Sequence, residues 1–241
     1  MRQLLKVAVS STTAHGIIPR LAGELNRALP EIEVMFVASD SFTARDHVLA
    51  RVVELALVGQ HFEHDELECS PFLEGDRLVV IVPPHSAVAD NRVITLAQLK
   101  EQRFIARRSG SGTRAIYEPV LAAAGASLKT LRVVREEANT ADCIEAVAKG
   151  EGVSIVSLLA AREAIEQGQV KALDLAAVTM LRNLYVIRHA RGILSAEGRR
   201  FVDFIEEWCA RCHHSAGNLN EEHGILSPSG GEETPVIPLP Y

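Results

Sequence analysis

The sequence predicts an α/β fold with a parallel sheet, and three observations lead to that prediction. Over about the first 60 residues, apolar runs alternate with segments of helical spacing in the order strand, helix, strand, helix, strand. Strands that alternate with helices in this way form parallel sheets with crossover helices. The continuous apolar run at 78–82 is typical of a strand that is buried on both faces. A second series of strands and helices follows it.

Length and composition limit the class of protein. The chain has 241 residues, of which 47% are hydrophobic and 23% are charged, so a core of useful size is available. The formal net charge of −6 gives no indication of nucleic-acid binding. No apolar run approaches the length of about 18 residues that a membrane span needs, and the first residues lack the apolar stretch of a secretory signal. We therefore expect a cytoplasmic protein without a membrane partner.

Hydroxyl residues follow each of the first two predicted strands. Residues 10–13, Ser-Ser-Thr-Thr, are predicted to form a loop between the strand at 4–9 and an apolar stripe at helical spacing. A helix N-cap uses only one hydroxyl side chain, so this run has more hydroxyl groups than a helix start requires. Ser39-Asp40-Ser41 occupies the same place after the next strand, and its helix precedes a buried strand at 55–58.

The segment 107–114, Arg-Arg-Ser-Gly-Ser-Gly-Thr-Arg, has the layout of an anion-binding loop. It lies between an apolar strand at 104–106 and a segment with helical spacing, and the N–H groups at a helix start are unpaired and electropositive. Its glycines let the backbone approach a ligand, and its hydroxyl and arginine side chains add donors. The candidate contacts are Ser109, Ser111, Gly112 and Thr113. The same pattern is also typical of a tight turn with an N-cap, so both interpretations stay open.

We expect no cofactor and no metal site. The loop lacks the lysine of a P-loop and the third glycine of a dinucleotide fingerprint. Cysteines are too few for a disulfide framework, and reduced thiols are expected. The run 209–213, Cys-Ala-Arg-Cys-His, matches a haem-attachment pattern and, with His214, a zinc cluster, but it lacks an export signal and a second ligand pair. The segment 61–66, which contains two histidines, is predicted to be a solvated loop.

The remaining elements are predicted from caps and apolar spacing. Thr95 and Gln98 form a capping box before a short helix, and Pro119 predicts either a kinked helix or a later helix start. Strands are predicted at 131–134, 152–157, 170–173 and 183–188, with helices at about 140–149 and 158–167. Ser195 caps a last helix with the apolar face Phe201, Phe204, Ile205 and Trp208. Residues 213–241 are predicted to be a disordered tail, because Ser, Gly, Glu and Pro dominate there.

In this order, the segments resemble the effector-binding domain of LysR-type transcriptional regulators. The strand and hydroxyl turn at 6–21, the helix and Glu-Leu-Ala-Leu-Val strand at 39–58, and the Asp-Arg-Leu-Val strand at 76–82 match that family. So do the Ser-Gly-Thr-Arg turn at 111–114 and the segment Gly-Glu-Gly-Val-Ser-Ile-Val-Ser at 150–157. Ser39 and Glu54 depart from the family's glycine and aspartate. The family's N-terminal winged helix-turn-helix has no counterpart in this sequence.

The resemblance implies the type 2 periplasmic-binding-protein fold, with two Rossmann-like lobes joined by two crossing strands near 76–82 and 182–188. Lobe I would comprise 4–79 plus 184–212, and lobe II would comprise 80–183. A ligand would lie in the cleft between the lobes. This arrangement would place Ser10, Thr12 and Ser41 on one wall and Ser109, Ser111, Gly112 and Thr113 on the other.

The function that the resemblance implies is sensing of a small anion or carboxylate effector. DNA would be contacted only through the absent N-terminal domain, and the family suggests a homodimer or tetramer. Two alternatives remain, which are a free-standing solute-binding protein and a serine hydrolase-like enzyme. Catalysis is disfavoured, because the sequence has no G-x-S-x-G elbow and only His15 and His189 as candidate bases.

Overall fold

The computed structural model describes residues 2–216, with side chains up to residue 211. The described elements alternate between strands and helices along most of the chain. Their bounds are β1 (Gln3–Ser10), α1 (Ser11–Gly16), α2 (Ile18–Ala28), β2 (Ile32–Ser39), α3 (Ser41–Leu49), β3 (Leu55–Val58), β4 (Leu67–Val82), β5 (Val93–Ile94), α4 (Leu96–Glu101), β6 (Arg103–Arg107), α5 (Gly112–Ala123), β7 (Arg132–Glu137), α6 (Thr140–Ala148), β8 (Ser154–Ser157), α7 (Leu158–Glu166), β9 (Lys171–Leu175), β10 (Met180–His189) and α8 (Ala196–Ala216).

The first three strands form the parallel unit that the sequence predicts. β1 pairs in parallel with β2 on one side and with β3 on the other. The sheet continues through β10, β4, β9 and β5 in the order β2-β1-β3-β10-β4-β9-β5, with β8 also paired to β4. β6 and β7 form a separate parallel pair that contacts β8 through a bridge between Phe104 and Val153. The result is a mixed sheet with helices packed on it.

Two long antiparallel strands, β4 and β10, connect the two ends of this sheet. Their pairing runs from Leu67 opposite His189 to Leu78 opposite Met180, and the register shifts on both sides of Leu184. The sequence predicted only the apolar end of β4. Its first part alternates exposed polar and buried residues, so it lacks the continuous apolar run by which the second part was predicted.

Buried apolar side chains divide into two sets along the chain. One set packs β1, β3, α2, part of β10 and α8 around Leu5, Leu21, Leu57 and Phe201, and a neighbouring cluster lies under α3. The other set draws its members from 78–180, including Phe104 and Tyr117. This division supports the lobe bounds 4–79 plus 184–212 and 80–183, which stay a prediction.

Two local predictions differ from the structure, and of the two alternatives at Pro119 the later helix start is ruled out. The hydroxyl run after β1 is not a loop, because residues from Ser11 onward form the short helix α1, and α2 begins separately with Pro19 in its first turn. α5 begins at Gly112 and contains Pro119, so its start is not delayed by the proline. α8 continues to Ala216, past the predicted start of the tail at 213, and residues 217–241 lie outside the described part of the chain. No helix in residues 2–216 has the length and apolar character needed to cross a membrane.

Candidate functional site

A small polar cavity lies where the ends of β1, β2 and β6 meet the strand β10. The gaps between its lining atoms sum to about 170 Å³, open solvent included, and none of them is wide enough for a water molecule in this arrangement. Most of its lining is hydroxyl-bearing or charged. The lining residues are Ser10, Ser11, Thr12, Asp40, Ser41, Arg107, Ser111, Gly112, Thr113 and Arg182.

The fold brings two distant segments of the chain to this cavity. β1 and β2 are parallel and end in register at Ser10 and Ser39, so the helix starts that follow them lie at one edge of the sheet. In the other half of the molecule β6 ends at Arg107 and α5 starts at Gly112. The helix starts α1, α3 and α5 therefore contribute Thr12, Ser41 and Thr113 to one space.

The two walls of the cavity are in direct contact. Thr12 Oγ1 lies 3.3 Å from Thr113 Oγ1, and Ser11 Oγ lies 3.2 Å from Thr140 Oγ1. A Cβ atom added to Gly112 would lie 2.7 Å from Ser41 Oγ and 3.1 Å from the backbone of Gly59. The glycine at this position therefore permits a contact between the walls that a larger residue would prevent.

Arg182 links both walls to the crossing strands. Its Nε donates to Asp76 Oδ2 over 2.8 Å, and both side chains are buried. Its two Nη groups donate to Thr12 Oγ1 and Thr113 Oγ1 over 3.1 and 3.2 Å. Asp76 also accepts a hydrogen bond from Ser157 over 2.6 Å, so its carboxylate is well satisfied.

Arg107 is the second buried arginine of the cavity, with 1% of its surface exposed. It donates to Thr140 Oγ1 over 2.7 Å, to Ser11 Oγ over 2.9 Å and to the carbonyl of Ala138 over 3.0 Å. Burial lowers the pKa of its guanidinium below the ordinary value. The group stays charged, because even a lowered arginine pKa lies far above neutral pH.

Most of the residues predicted from the sequence come together here. Ser10, Thr12, Ser41, Ser111, Gly112 and Thr113 all line the cavity. Ser109 does not, because it is exposed on the turn that Gly110 makes with a φ of +89°.

The sequence did not single out Ser11, Asp40 and Arg182 as cavity residues. Ser11 belongs to the same hydroxyl run as Ser10 and Thr12, and Asp40 is adjacent to Ser41. Their sequence positions could therefore have predicted that both line the cavity. Arg182 could have been noticed as a charged residue within a largely buried strand. Charged residues are rarely fully buried unless they are paired.

Several lining side chains also cap helices. Ser111 Oγ accepts from the N–H of Arg114 over 3.4 Å at the start of α5. Asp40 Oδ1 accepts from the N–H of Thr43 over 2.8 Å at the start of α3. The capping interpretation of these segments therefore holds alongside the cavity, and each cap leaves further N–H groups at the helix start.

No cysteine or histidine side chain of the described residues lines the cavity. Burial raises the pKa of the Cys143 thiol from 9.0 to about 11, so this cysteine is protonated at neutral pH. His15 and His189, the candidate bases, are not among the residues that line the cavity. Among the described residues no group of three His, Cys, Asp or Glu side chains has an arrangement for a metal ion. The side chains of Cys212, His213 and His214 lie outside the described part of the chain.

Comparison with known proteins identifies the family. Residues 1–210 match the LysR substrate binding domain, so the chain belongs to that family. The RuBisCO operon transcriptional regulator of Allochromatium vinosum is 29% identical over 217 residues, covering 90% of this chain and 70% of the regulator. An uncharacterized HTH-type transcriptional regulator of Methanocaldococcus jannaschii is 28% identical over 205 residues, covering 84% of this chain and 68% of that protein.

Solved structures agree with this result. The regulatory domain of CcmR from Synechocystis PCC6803, in complex with 2-PG, has a TM-score of 0.76 and 27% identity and covers 86% of this chain and 98% of that chain. The effector-binding domain of QuiR, in complex with shikimate, has a TM-score of 0.75 at 17% identity and covers 88% of this chain and 99% of that one. The predicted fold, like that of type 2 periplasmic binding proteins, is confirmed, and the chain is a ligand-sensing domain of the LysR type.

Proposed function

We propose that this domain binds a small anion or carboxylate in the cavity between the two halves, and that binding controls DNA contact by the N-terminal domain of a LysR-type regulator. The observation that carries the proposal is the convergence of hydroxyl groups from both walls on one buried space. Ser10, Thr12 and Ser41 come from one half, and Ser111, Gly112 and Thr113 from the other. Hydroxyl groups and helix N–H groups are effective donors to oxyanions.

The mechanism requires a difference in affinity between two arrangements of the halves. A ligand that contacts both walls binds the closed arrangement more tightly than an open one, and so it shifts the population toward closure. The hinge for this motion is the β4–β10 pair, whose register is irregular on both sides of Leu184. In an oligomeric regulator in the cytoplasm, closure would change how the DNA-binding domains are spaced. We propose a homodimer or tetramer of such chains.

A thermal-shift screen against small anions and carboxylates tests this proposal. The panel includes 2-PG, because the similar CcmR domain forms a complex with that compound. A ligand at 100 times its Kd adds about 2.7 kcal/mol to stability, which corresponds to roughly 2–4 °C in Tm per kcal/mol. A hit in the wild-type domain is the expected result.

Two N-cap variants separate binding from folding. Ser111→Ala removes a cap at the cavity, whereas Thr95→Ala removes a cap at α4 that does not line it. Each is expected to lower stability by about 1 kcal/mol. Only Ser111→Ala is expected to abolish the ligand-induced shift. If the shift survives in Ser111→Ala as it does in Thr95→Ala, the ligand binds elsewhere and the proposal is wrong.

A further inference from the structure

Arg107 carries a buried positive charge that forms no ion pair with a carboxylate of the described residues. Its three hydrogen bonds go to two hydroxyl groups and one carbonyl, and it forms no ion pair in that part of the chain. The other buried arginine of the cavity, Arg182, is paired with Asp76. Buried charges in proteins are normally paired, because desolvation of an isolated ion is strongly unfavourable.

The guanidinium also has donors to spare. A guanidinium has five N–H groups, and three hydrogen bonds leave two of them unused. One of these is on Nε, which is buried and without a partner within the described chain. Because Arg107 lines the cavity, a ligand there is in reach of this side chain.

Arg107 sets the direction of the hydroxyl groups around it. It donates to Ser11 Oγ and Thr140 Oγ1, which occupies acceptor sites on both oxygens. One of these two protons is used in the hydrogen bond between Ser11 Oγ and Thr140 Oγ1, and the other is available to donate to a ligand. Arg182 acts in the same way on Thr12 and Thr113 on the other side of the cavity. The two arginines thus present a set of donors, which is the environment that an oxyanion needs.

The Asp40 carboxylate favours the charge of Arg107, but its effect does not outweigh burial, because the pKa of the guanidinium is lowered. Burial raises the pKa of both the Tyr117 hydroxyl and the Cys143 thiol, so both are neutral at neutral pH. The Asp40 carboxylate accepts hydrogen bonds from the N–H and the hydroxyl of Thr43 at the start of α3, so it offsets that helix dipole. The start of α5 adds roughly half a positive charge to the one on Arg107. A singly charged ligand would leave part of this positive charge without a partner.

We propose, as an extension of the proposed sensing function, that Arg107 is the specificity residue of the cavity and that the effector is a small oxyanion with two negative charges. Phosphate esters, phosphonates, sulfate and dicarboxylates share this chemistry. In this arrangement the two walls are in contact and leave no room for a water molecule between them, so a ligand enters only as the walls part. A compound of few atoms requires the smallest parting of the walls.

Pairs of compounds with the same shape and different charge test this inference. Methylphosphonate, at a pH where it is doubly ionised, is compared with methanesulfonate, and malonate is compared with malonamate. In the wild-type domain the doubly charged member of at least one pair is expected to bind at least about tenfold more tightly by calorimetric titration. The two pairs distinguish a phosphorus oxyanion from a dicarboxylate.

Substitution of Arg107 and of its neighbour Arg108 tests whether Arg107 causes the preference for doubly charged compounds. Arg107→Gln is expected to weaken binding of the dianion by about tenfold or more and to change monoanion binding little. Arg108→Gln removes the same charge from an exposed side chain outside the cavity and is expected to keep the wild-type preference. Arg107→Lys keeps the charge and is expected to keep part of the preference. If Arg107→Gln does not fold, Thr140→Val, which removes one of the oriented hydroxyls, is expected to weaken dianion binding several-fold.

The outcomes separate this inference from the sensing function. Equal binding of both members of each pair, or an unchanged preference in Arg107→Gln, overturns the inference and leaves the sensing function intact. If none of the four compounds binds, the inference is also overturned. The sensing function then depends on the wider screen, where a singly charged anion or carboxylate whose binding is lost in Ser111→Ala would sustain it.

Discussion

Asp76 and Arg182 face each other across the two crossing strands, with Arg182 Nε 2.8 Å from Asp76 Oδ2 and both side chains at most 2% exposed. Because Arg182 also donates to Thr12 and Thr113, this ion pair joins the hinge strands to both walls of the cavity. Arg182 is therefore in an ion pair, whereas Arg107 forms none with the residues that the structure describes.

Replacement of Asp76 by Asn leaves Arg182 buried without a counter-charge. Removal of one partner of a buried ion pair lowers the free energy of unfolding by about 3–5 kcal/mol. The control is Asp174→Asn, which breaks the half-exposed pair between Arg77 and Asp174 at 3.4 Å. That change is expected to cost about 1 kcal/mol or less. Urea denaturation of the two variants compares them directly, and equal losses would contradict the assigned role of Asp76.

Gly112 is predicted to be necessary for closure of the walls. In Gly112→Ala the added Cβ meets Ser41 Oγ at 2.7 Å, so the two halves are held apart. An overpacked contact costs about 1–3 kcal/mol, which corresponds to roughly fivefold to 150-fold weaker effector binding. Gly23→Ala is the matched control, because its Cβ has only a 3.8 Å contact with Arg27 and lies in the exposed part of α2.

Gly23→Ala is expected to raise the free energy of unfolding by about 0.5–1 kcal/mol, since alanine is the better helix former. Its effector affinity should match that of the wild type in the same titration. Unchanged affinity in Gly112→Ala would show that the walls do not need to meet for binding.

Much of the fold could be predicted from local patterns. The alternation of apolar strands and amphipathic helices predicted the parallel unit of β1, β2 and β3, and the Thr95 and Gln98 capping box is present as predicted. The first part of β4 could not be predicted, because its exposed polar residues depend on partners in β10 that are more than 100 residues away. Helix α1 was missed because Ser and Thr have low helix propensity and favour caps and turns.

The candidate site was predictable as a set of hydroxyl groups but not as an electrostatic arrangement. The hydroxyl runs marked the candidate residues, and the resemblance to LysR-type effector-binding domains implied that Thr12 and Thr113 lie on facing walls; their hydroxyl oxygens are 3.3 Å apart. No local pattern indicates that Arg182 is paired and Arg107 is not, because this depends on the β4–β10 register that brings Asp76 opposite Arg182. The exposure of Ser109 likewise depends on the positive φ of Gly110.

Cys143 predicts a specific loss of stability at alkaline pH. Burial raises the pKa of this thiol from 9.0 to about 11 in the folded state, so the folded state holds its proton where the unfolded state has released it. The resulting stability is fully present below about pH 9 and is lost as the pH rises through about 11. The difference in unfolding free energy between the wild type and Cys143→Ala should fall by about 2 kcal/mol between about pH 9 and pH 11. A difference that does not change with pH would mean that this thiol is not shielded by burial.

The most direct test of the account measures effector affinity after one hydroxyl is removed from each wall. Thr12→Val and Thr113→Val keep the side-chain shape and remove hydroxyl groups that lie 3.3 Å apart, from positions 101 residues apart in the chain. Thr179→Val removes an exposed hydroxyl outside the cavity and serves as the control. If the ligand lies between the walls, each of the two cavity variants binds it roughly tenfold more weakly in calorimetric titration, and the control binds as the wild type does. Wild-type affinity in both cavity variants would contradict binding between the walls.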